Sequence, residues 1–360
     1  MNGRDIDSAV LIALQRLEKL TPKRKEILLS FGALPSALLR EELRQKVTAA
    51  LGESATDFFR FVDERESYFD SLAAKGIGWV TYLDDEYPET LSEIDIKPVA
   101  LFFKGNAALL KSFSIAIVGT RRPTRYGARI ADDFAREFAR AGIVVVSGFA
   151  RGIDSVAHRA CVESGAPTIA VFGCGVDVCY PAENRALYDG ILSSGGLIVS
   201  EYAAGTHPMP FRFPERNRVI SGLARGVLLP EAAEKSGSLI TANTAVEQGK
   251  DLFVVPGNIF SPESRGTNSL LRSMPHALTL CPEDVLEYYR IGSVAREPEE
   301  AVQYDLTETA VLECLHDGEK HFEEILDETG LTASELSTVL VNLELAGALV
   351  QSGGNYYSLC

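Results

Sequence analysis

Six short apolar runs punctuate the middle of the chain, at 115–118, 143–146, 168–172, 197–200, 226–229 and 252–255, with amphipathic stretches between them. Continuous apolar runs of this length suit strands buried on both faces, whereas a sheet with one wet face alternates. Strand–helix alternation therefore predicts a parallel, Rossmann-like sheet over 107–290, with helices starting near Tyr126, Ile153, Asn184, Arg216 and Leu239. Residues 1–72 carry helical patterns only and read as a small SAM-like helical domain, one helix opening at Thr21-Pro22. A connector with short strands is expected over 73–106, punctuated by Tyr87-Pro88 and Lys97-Pro98. After a polar linker at 291–304, residues 305–360 read as three helices and a hairpin around Gly353-Gly354, a winged-helix layout. Thr332 is placed to cap the third helix, with Glu335 as its capping-box partner. The fold class expected is α/β, a Rossmann-like core between a helical N-terminal domain and a winged-helix domain.

Composition narrows the setting. A chain of 360 residues that is 46% hydrophobic can bury two or three cores. No apolar segment approaches the roughly 20 residues needed to span a bilayer. The N-terminal stretch reads as an amphipathic helix rather than a signal peptide. Six cysteines scattered among apolar residues suggest reduced thiols and a cytoplasmic location. Cys174 and Cys179 have no second ligand pair nearby in sequence, so neither a metal nor a cofactor is expected.

The net charge of −15 opposes nucleic-acid binding until its distribution is considered. Between Ser114 and Gly226 there are thirteen arginines, no lysine and ten carboxylates, a local balance of +3. From Ala301 to Cys360 a single lysine, Lys320, faces eleven carboxylates, a balance of −10. Several arginines fall in predicted turns at strand C-terminal ends, where doubly wound sheets bind ligands. The third helix of the tail offers Glu335 and Glu344 but no arginine or lysine, so contact with phosphate would be repulsive. The tail therefore reads as a protein-interaction or packing module.

The chemistry is concentrated in glycine turns. GTRRPTRYG (119–127) lacks both the dinucleotide GxGxxG and a P-loop lysine, and its arginines suit an extended backbone better than one pyrophosphate. SGFARGIDSVAH (147–158) puts Gly148 and Arg151 at a turn. His158 reads as a packed core histidine, because no nucleophile stands nearby at a strand end. In FGCGVDVCYPAEN (172–184), Asp177 could serve as an acid or base, or tie down its loop. FRFPERNRVISGL (211–223) interleaves Phe211 and Phe213 with Arg212, Arg216 and Arg218. Aromatic faces among guanidinium groups suit stacking on bases beside a clamped backbone, a role that falls to Phe213, whereas Phe211 could equally pack inward. EKSGSLITANTAVEQG (234–249) sets Lys235 before a helix start at which Gly237, Ser238 and Thr241 offer N–H and hydroxyl donors to phosphate. PGNIFSPESRGTNSLL (256–271) adds another glycine-containing loop, with Arg265 and Asn268.

In order and spacing over about 107–280, these motifs resemble the DNA-processing protein DprA (Smf) family. The flanks fit as well, in the helical N-terminus, the stretch YLDDEYPETLSEIDIKPVALFFKGN and the winged-helix tail. The resemblance implies a protein that binds single-stranded DNA without base specificity in a basic pocket of the Rossmann-like domain. It further implies a protein that displaces or coexists with single-strand-binding protein and delivers the strand to the RecA recombinase, chiefly in natural transformation. Members dimerise, commonly through the Rossmann-like domain, and are not known as enzymes. On that basis Arg121, Arg122, Arg151 and Lys235 are expected to contact phosphate, followed by Arg216 and Arg218. Phe213 is expected to stack on a base and Asn217 to orient the loop, while Gly119, Thr120, Gly148, Gly237 and Ser238 supply phosphate-turn backbone. Thr120 stands where serine is commoner, and Glu215, Glu231 and Glu234 put carboxylates close to the expected contacts.

Two other readings compete. A nucleoside-monophosphate phosphoribohydrolase would use a related sheet, but its PGGxGTxxE helix start is replaced by KSGSLITANTAVEQG, which displaces the carboxylate to Glu247. A dinucleotide sensor with the tail as a transcriptional switch conflicts with the acidity of that tail.

Overall fold

The structure is a computed structural model that describes residues 3–17, 20–292 and 304–359. The chain forms two compact units, 1–294 and 295–360. The linker expected at 291–304 lies almost wholly outside the described residues.

In the first unit, helices α1 (Gly3–Arg16), α2 (Pro22–Leu29), α3 (Glu41–Leu51), α4 (Ala55–Asp63) and α5 (Arg65–Ala74) come first. They enclose a core of their own around Val10, Leu14, Leu28, Val47 and Phe58. Thr21 caps α2 as its sequence suggests, its side chain accepting from the Arg24 N–H. Strands β1 (Gly78–Thr81) and β2 (Ala100–Gly105) follow, separated by the short α6 (Glu89–Ser92).

The six apolar runs all form strands: β3 (Ser114–Ile117), β4 (Val144–Ser147), β5 (Thr168–Phe172), β6 (Leu197–Ser200), β7 (Gly226–Leu229) and β8 (Asp251–Val254). Between and after them lie α7 (Arg125–Arg140), α8 (Ile153–Glu163), α9 (Arg185–Ser193), α10 (Arg212–Leu223), α11 (Gly237–Glu247), α12 (Arg265–Ser273) and α13 (Pro282–Tyr288). The eight strands make one sheet in the order β1-β2-β6-β5-β4-β3-β7-β8. β3 to β8 pair in parallel, and β2 joins β6 antiparallel, so the connector strands extend the core sheet.

Residues alternate between two cores. Ala116, Val146 and Val227 face α10 and α11 through Val219, Ile220 and Ala242. Ile115, Ile117 and Val145 face Phe134, Phe138 and Ala157 of α7 and α8. Helices on both faces explain why the strands read as unbroken apolar runs.

The second unit holds α14 (Leu306–Cys314), β9 (Lys320–His321), α15 (Phe322–Thr329), α16 (Ala333–Leu345), β10 (Leu349–Ser352) and β11 (Tyr356–Leu359), around Val311, Leu336, Leu340 and Leu343. The Thr332–Glu335 capping box forms in both directions. Among the described residues no helix is long and apolar enough to cross a membrane.

Candidate nucleic-acid interface

The chain leaves β3 towards β4 on one side and leaves β7 towards β8 on the other. Adjacent strands whose connections part in this way open a crevice at their C-terminal ends, the place where such sheets bind ligands. Here the loops interlock at close range. Thr120 donates its N–H to the Glu231 carbonyl at 2.9 Å, and Ile153 donates to the Thr120 carbonyl at 3.2 Å. Gly119 is required by contact: a Cβ there would lie 2.6 Å from Ile153 Cγ1. Gly152, at φ +78°, passes so close that a Cβ would meet the Thr120 carbonyl oxygen at 2.4 Å. The interlock leaves the side chains of Arg121, Arg122, Arg125 and Lys235 exposed on the rim. Among the described residues, none of the four has a side-chain hydrogen bond to a charged group or an ion-pair partner. Arg265, first residue of α12, is exposed and unpaired in the same sense. It adjoins the β7 loop because Gly266 donates its N–H to the Ala232 carbonyl at 2.8 Å.

Two inward carboxylates occupy positions where a phosphate was expected. Glu231, only 1% exposed, accepts from the Thr124 N–H at 2.8 Å and from its hydroxyl at 2.7 Å, filling the N-terminus of α7. Asp154 accepts from the N–H groups of Gly148 at 3.1 Å and Ala150 at 3.3 Å. The backbone of Thr120 and Gly148 is thus spent inside the protein, which corrects their expected place in a phosphate cradle. The start of α11 differs. Gly237 is exposed with open space about its Cα, and Ser236 caps the helix by accepting from the Ser238 N–H while its Oγ lies 2.7 Å from Ser238 Oγ. Of the expected phosphate-turn positions, Gly237 faces solvent, with Lys235 beside it.

The 211–223 motif folds differently from expectation. Its helix begins at Arg212, not near Arg216, because Pro214 falls in the first turn, where a missing N–H costs nothing. Arg212 and Arg216, four residues apart, therefore share one inward face. Arg216 is 4% exposed and donates to the Gly148 carbonyl at 2.7 Å, to the Val171 carbonyl, and to Asn217 Oδ1 at 3.2 Å. Burial pushes the Asp154 carboxyl up and the Arg216 guanidinium down, and each favours the charged form of the other. Arg218 is largely buried against Glu201, itself buried. Lys25 of α2 lies within electrostatic reach of this pair, and burial lowers its pKa to about 8. Arg216 and Arg218 are thus turned away from the surface where phosphate contact would need them. Asn217 holds the Arg216 guanidinium rather than a loop.

Phe213 stays half-buried at the surface. Its ring lies against Gly173 and 5.5 Å from that of Tyr180, inclined at 32°. Phe211, 54% exposed, is its neighbour in the chain. Arg151 is exposed but engaged: its guanidinium grips the Glu183 carboxylate, with Nη2 donating to Oε2 at 2.7 Å. Glu215 is exposed and accepts from the Tyr202 hydroxyl at 3.1 Å.

Asp177 ties down its loop, accepting from the Gly205 N–H at 2.7 Å and pairing with Lys75. His158 is fully buried, with Nδ1 2.8 Å from Thr168 Oγ1. The Thr168 hydroxyl proton goes to the Val145 carbonyl at 2.7 Å, so Nδ1 is the donor to Oγ1. Burial lowers the pKa of this imidazole to about 3, which fits a packed core histidine. Sequence reasoning missed the exposure of Tyr180, Ile259 and Phe260. The last two sit between Asn258 and Pro262, a turn setting that signals apolar side chains outside the core.

Comparison with known proteins decides the family. The profile described as DNA recombination-mediator protein A matches residues 78–290, more than half of the chain, and a DprA winged-helix profile matches 295–355. The chain belongs to the DprA family. The DNA processing protein DprA of Streptococcus pneumoniae is 45% identical over 204 residues, 57% of this chain and 71% of that one. The Escherichia coli protein Smf is 37% identical over 281 residues, 76% of this chain and 75% of the other. The X-ray structure of S. pneumoniae DprA superposes with a TM-score of 0.66 at 36% identity, covering 78% of this chain and 97% of its own. Helicobacter pylori DprA, solved for its single-stranded DNA binding mode, superposes at 0.54 with 32% identity over 59% of this chain and 95% of its own. A DNA-processing, recombination-mediator role follows for this chain, and its α/β sheet and winged-helix domain match the two DprA-family profiles.

Proposed function

We propose that this protein binds single-stranded DNA without regard to sequence and loads a RecA recombinase onto it, in natural transformation or another recombination route. The observation that carries the reading is the group of exposed cations at the β3–β7 switch point that have no carboxylate partner among the described residues. Arg121 and Arg122 come from one loop and Lys235 from the other, beside the open N-terminus of α11. Side-chain cations along a rim suit a polymer backbone. A mononucleotide enzyme would need backbone donors that Glu231 and Asp154 already hold, so we assign the site to binding rather than catalysis. Arg151 joins by exchanging Glu183 for phosphate, a small cost for an exposed pair. Arg216, Asn217 and Arg218 act as positioning residues beneath the rim. Phe213 and Tyr180 offer ring surface to a base. The protein works in the cytoplasm as a homodimer joined through the Rossmann-like domain, meeting DNA that single-strand-binding protein has covered.

The test is binding of a fluorescent oligothymidine over a salt series. If Arg121, Arg122, Arg151, Lys235 and Arg265 meet phosphates, log K should fall with log salt at a slope of about −3.5. Arg121→Glu/Lys235→Glu should remove binding while leaving the melting transition in place. Folded wild-type protein that fails to bind at low salt would defeat the reading.

A further inference from the structure

The loop after β8 presents the two most exposed large apolar side chains described in the first unit, Ile259 at 75% and Phe260 at 84%. Exposing both costs hydrophobic free energy, and hydrogen bonds hold the loop backbone beneath them. Asn258 accepts from the Phe260 N–H through its side chain at 2.9 Å, and its carbonyl accepts from Ser261 at 3.0 Å. Asn268 of α12 braces Gly257 twice, accepting from its N–H and donating to its carbonyl, each at 3.0 Å. Tyr126 donates its hydroxyl to the Pro256 carbonyl at 2.6 Å, tying the loop to the first turn of α7. The tip is pre-ordered, so a ligand that uses it has little ordering entropy to overcome.

Its surroundings indicate the ligand. Tyr126 is 45% exposed and follows Arg125, while Arg265 opens α12 just beyond the tip. Both arginines lack ion-pair partners among the described residues, so each of the two helices that brace the loop, α7 and α12, opens on an exposed cation, with Glu263 the carboxylate between the tip and Arg265. A neutral protein surface would leave those charges unanswered, whereas a nucleic-acid strand supplies phosphate for the arginines and ring faces for Phe260. We infer that Phe260, supported by Ile259, is a second base-stacking station for single-stranded DNA, across the switch point from Phe213. This rests on the proposed function and extends it.

The strand order gives the reach of the track. Phe213 lies against the turn after β5, and Phe260 follows β8, four strands away along the rim. At the usual strand spacing this is ~19 Å. A stacked single strand at ~3.4 Å per nucleotide covers that span with about six nucleotides. Arg121, Arg122 and Lys235 lie between the two stations.

The experiment measures affinity of the full chain for oligothymidines spanning the ~4–16 nucleotide range of single-strand sites. Affinities are compared among wild type, Phe260→Ala, Phe260→Trp and Arg121→Glu/Lys235→Glu, with solution mass recorded for each by light scattering. Loss of one stacked base should weaken Phe260→Ala by about five- to a hundred-fold on oligomers long enough to span both stations, and little on shorter ones. Phe260→Trp should bind as wild type. Abasic sites in the oligomer should erase the difference between wild type and Phe260→Ala. The double charge variant should fail at every length. Unchanged affinity for Phe260→Ala, at unchanged mass, would overturn the inference while leaving the proposed function standing. A fall in mass, with equal loss on thymidine and abasic oligomers, would overturn it too, making the tip a contact between copies. Wild type that binds no oligomer would remove both.

Discussion

Arg216 and Arg121 act on neighbouring loops and carry the same charge, yet burial gives them opposite work. Arg216 sits under the rim, its guanidinium shared among two backbone carbonyls, Asn217 and the field of Asp154. Replacing it with methionine leaves the Asp154 carboxylate buried without its cation, a class of change that costs about 3–5 kcal/mol. Arg121 is exposed and unpaired among the described residues, so Arg121→Ala should alter stability by no more than about 0.5 kcal/mol. Denaturant midpoints and oligothymidine affinity, measured on both variants, should therefore separate. Arg216→Met should lower the midpoint sharply, and Arg121→Ala should weaken DNA binding at an unchanged midpoint. Equal stability of wild type and Arg216→Met would show that the buried network is not a positioning device.

At the scale of elements, two helix starts look alike in sequence and differ in use. Gly127 in the first turn of α7 packs on Glu231, and a Cβ there would lie 2.4 Å from its Oε2. Gly127→Ala must displace the carboxylate that holds Thr124, at a cost of about 1–3 kcal/mol as overpacking. Gly237 at the start of α11 has nothing within 4 Å of such a Cβ. Gly237→Ala should keep or slightly raise the melting temperature, yet weaken DNA binding if phosphate approaches the α11 backbone. A Gly237→Ala protein with full affinity would place the strand elsewhere.

The same contrast marks what the sequence could convey. Buried strands announce themselves as apolar runs, and all six were legible, as was the capping box at Thr332, because these signals are local. The exposure of Arg121, Arg122 and Lys235 suits their charge, and they stay the expected phosphate contacts. The direction of Arg216 and Arg218 was not legible, because it depends on helix phase, and Pro214 set that phase four residues earlier than expected. Nor could spacing show that Glu231 and Asp154 turn inward, since their partners are up to 107 residues away in the chain.

On the scale of the whole molecule, charge and site pull in opposite directions. The chain carries −15, and −10 of it lies in residues 301–360. That segment forms the second compact unit with its own apolar core, so a protein ending before the winged-helix domain should keep the first unit folded. Repulsion between the acidic domain and an approaching strand acts through the solvent over a few Debye lengths, and it weakens as salt shortens that length below about 10 Å. Electrostatic forces of this range change association rates more than dissociation rates. Removing residues 293–360 should therefore speed oligothymidine association several-fold at low ionic strength and leave the dissociation rate unchanged. Stopped-flow traces at rising salt should show the two association rates converging. If truncation instead slowed association or hastened release, the winged-helix domain would itself be holding DNA. The domain would then bind DNA although α16 carries no arginine or lysine, and the cations of the first unit would no longer account for binding alone.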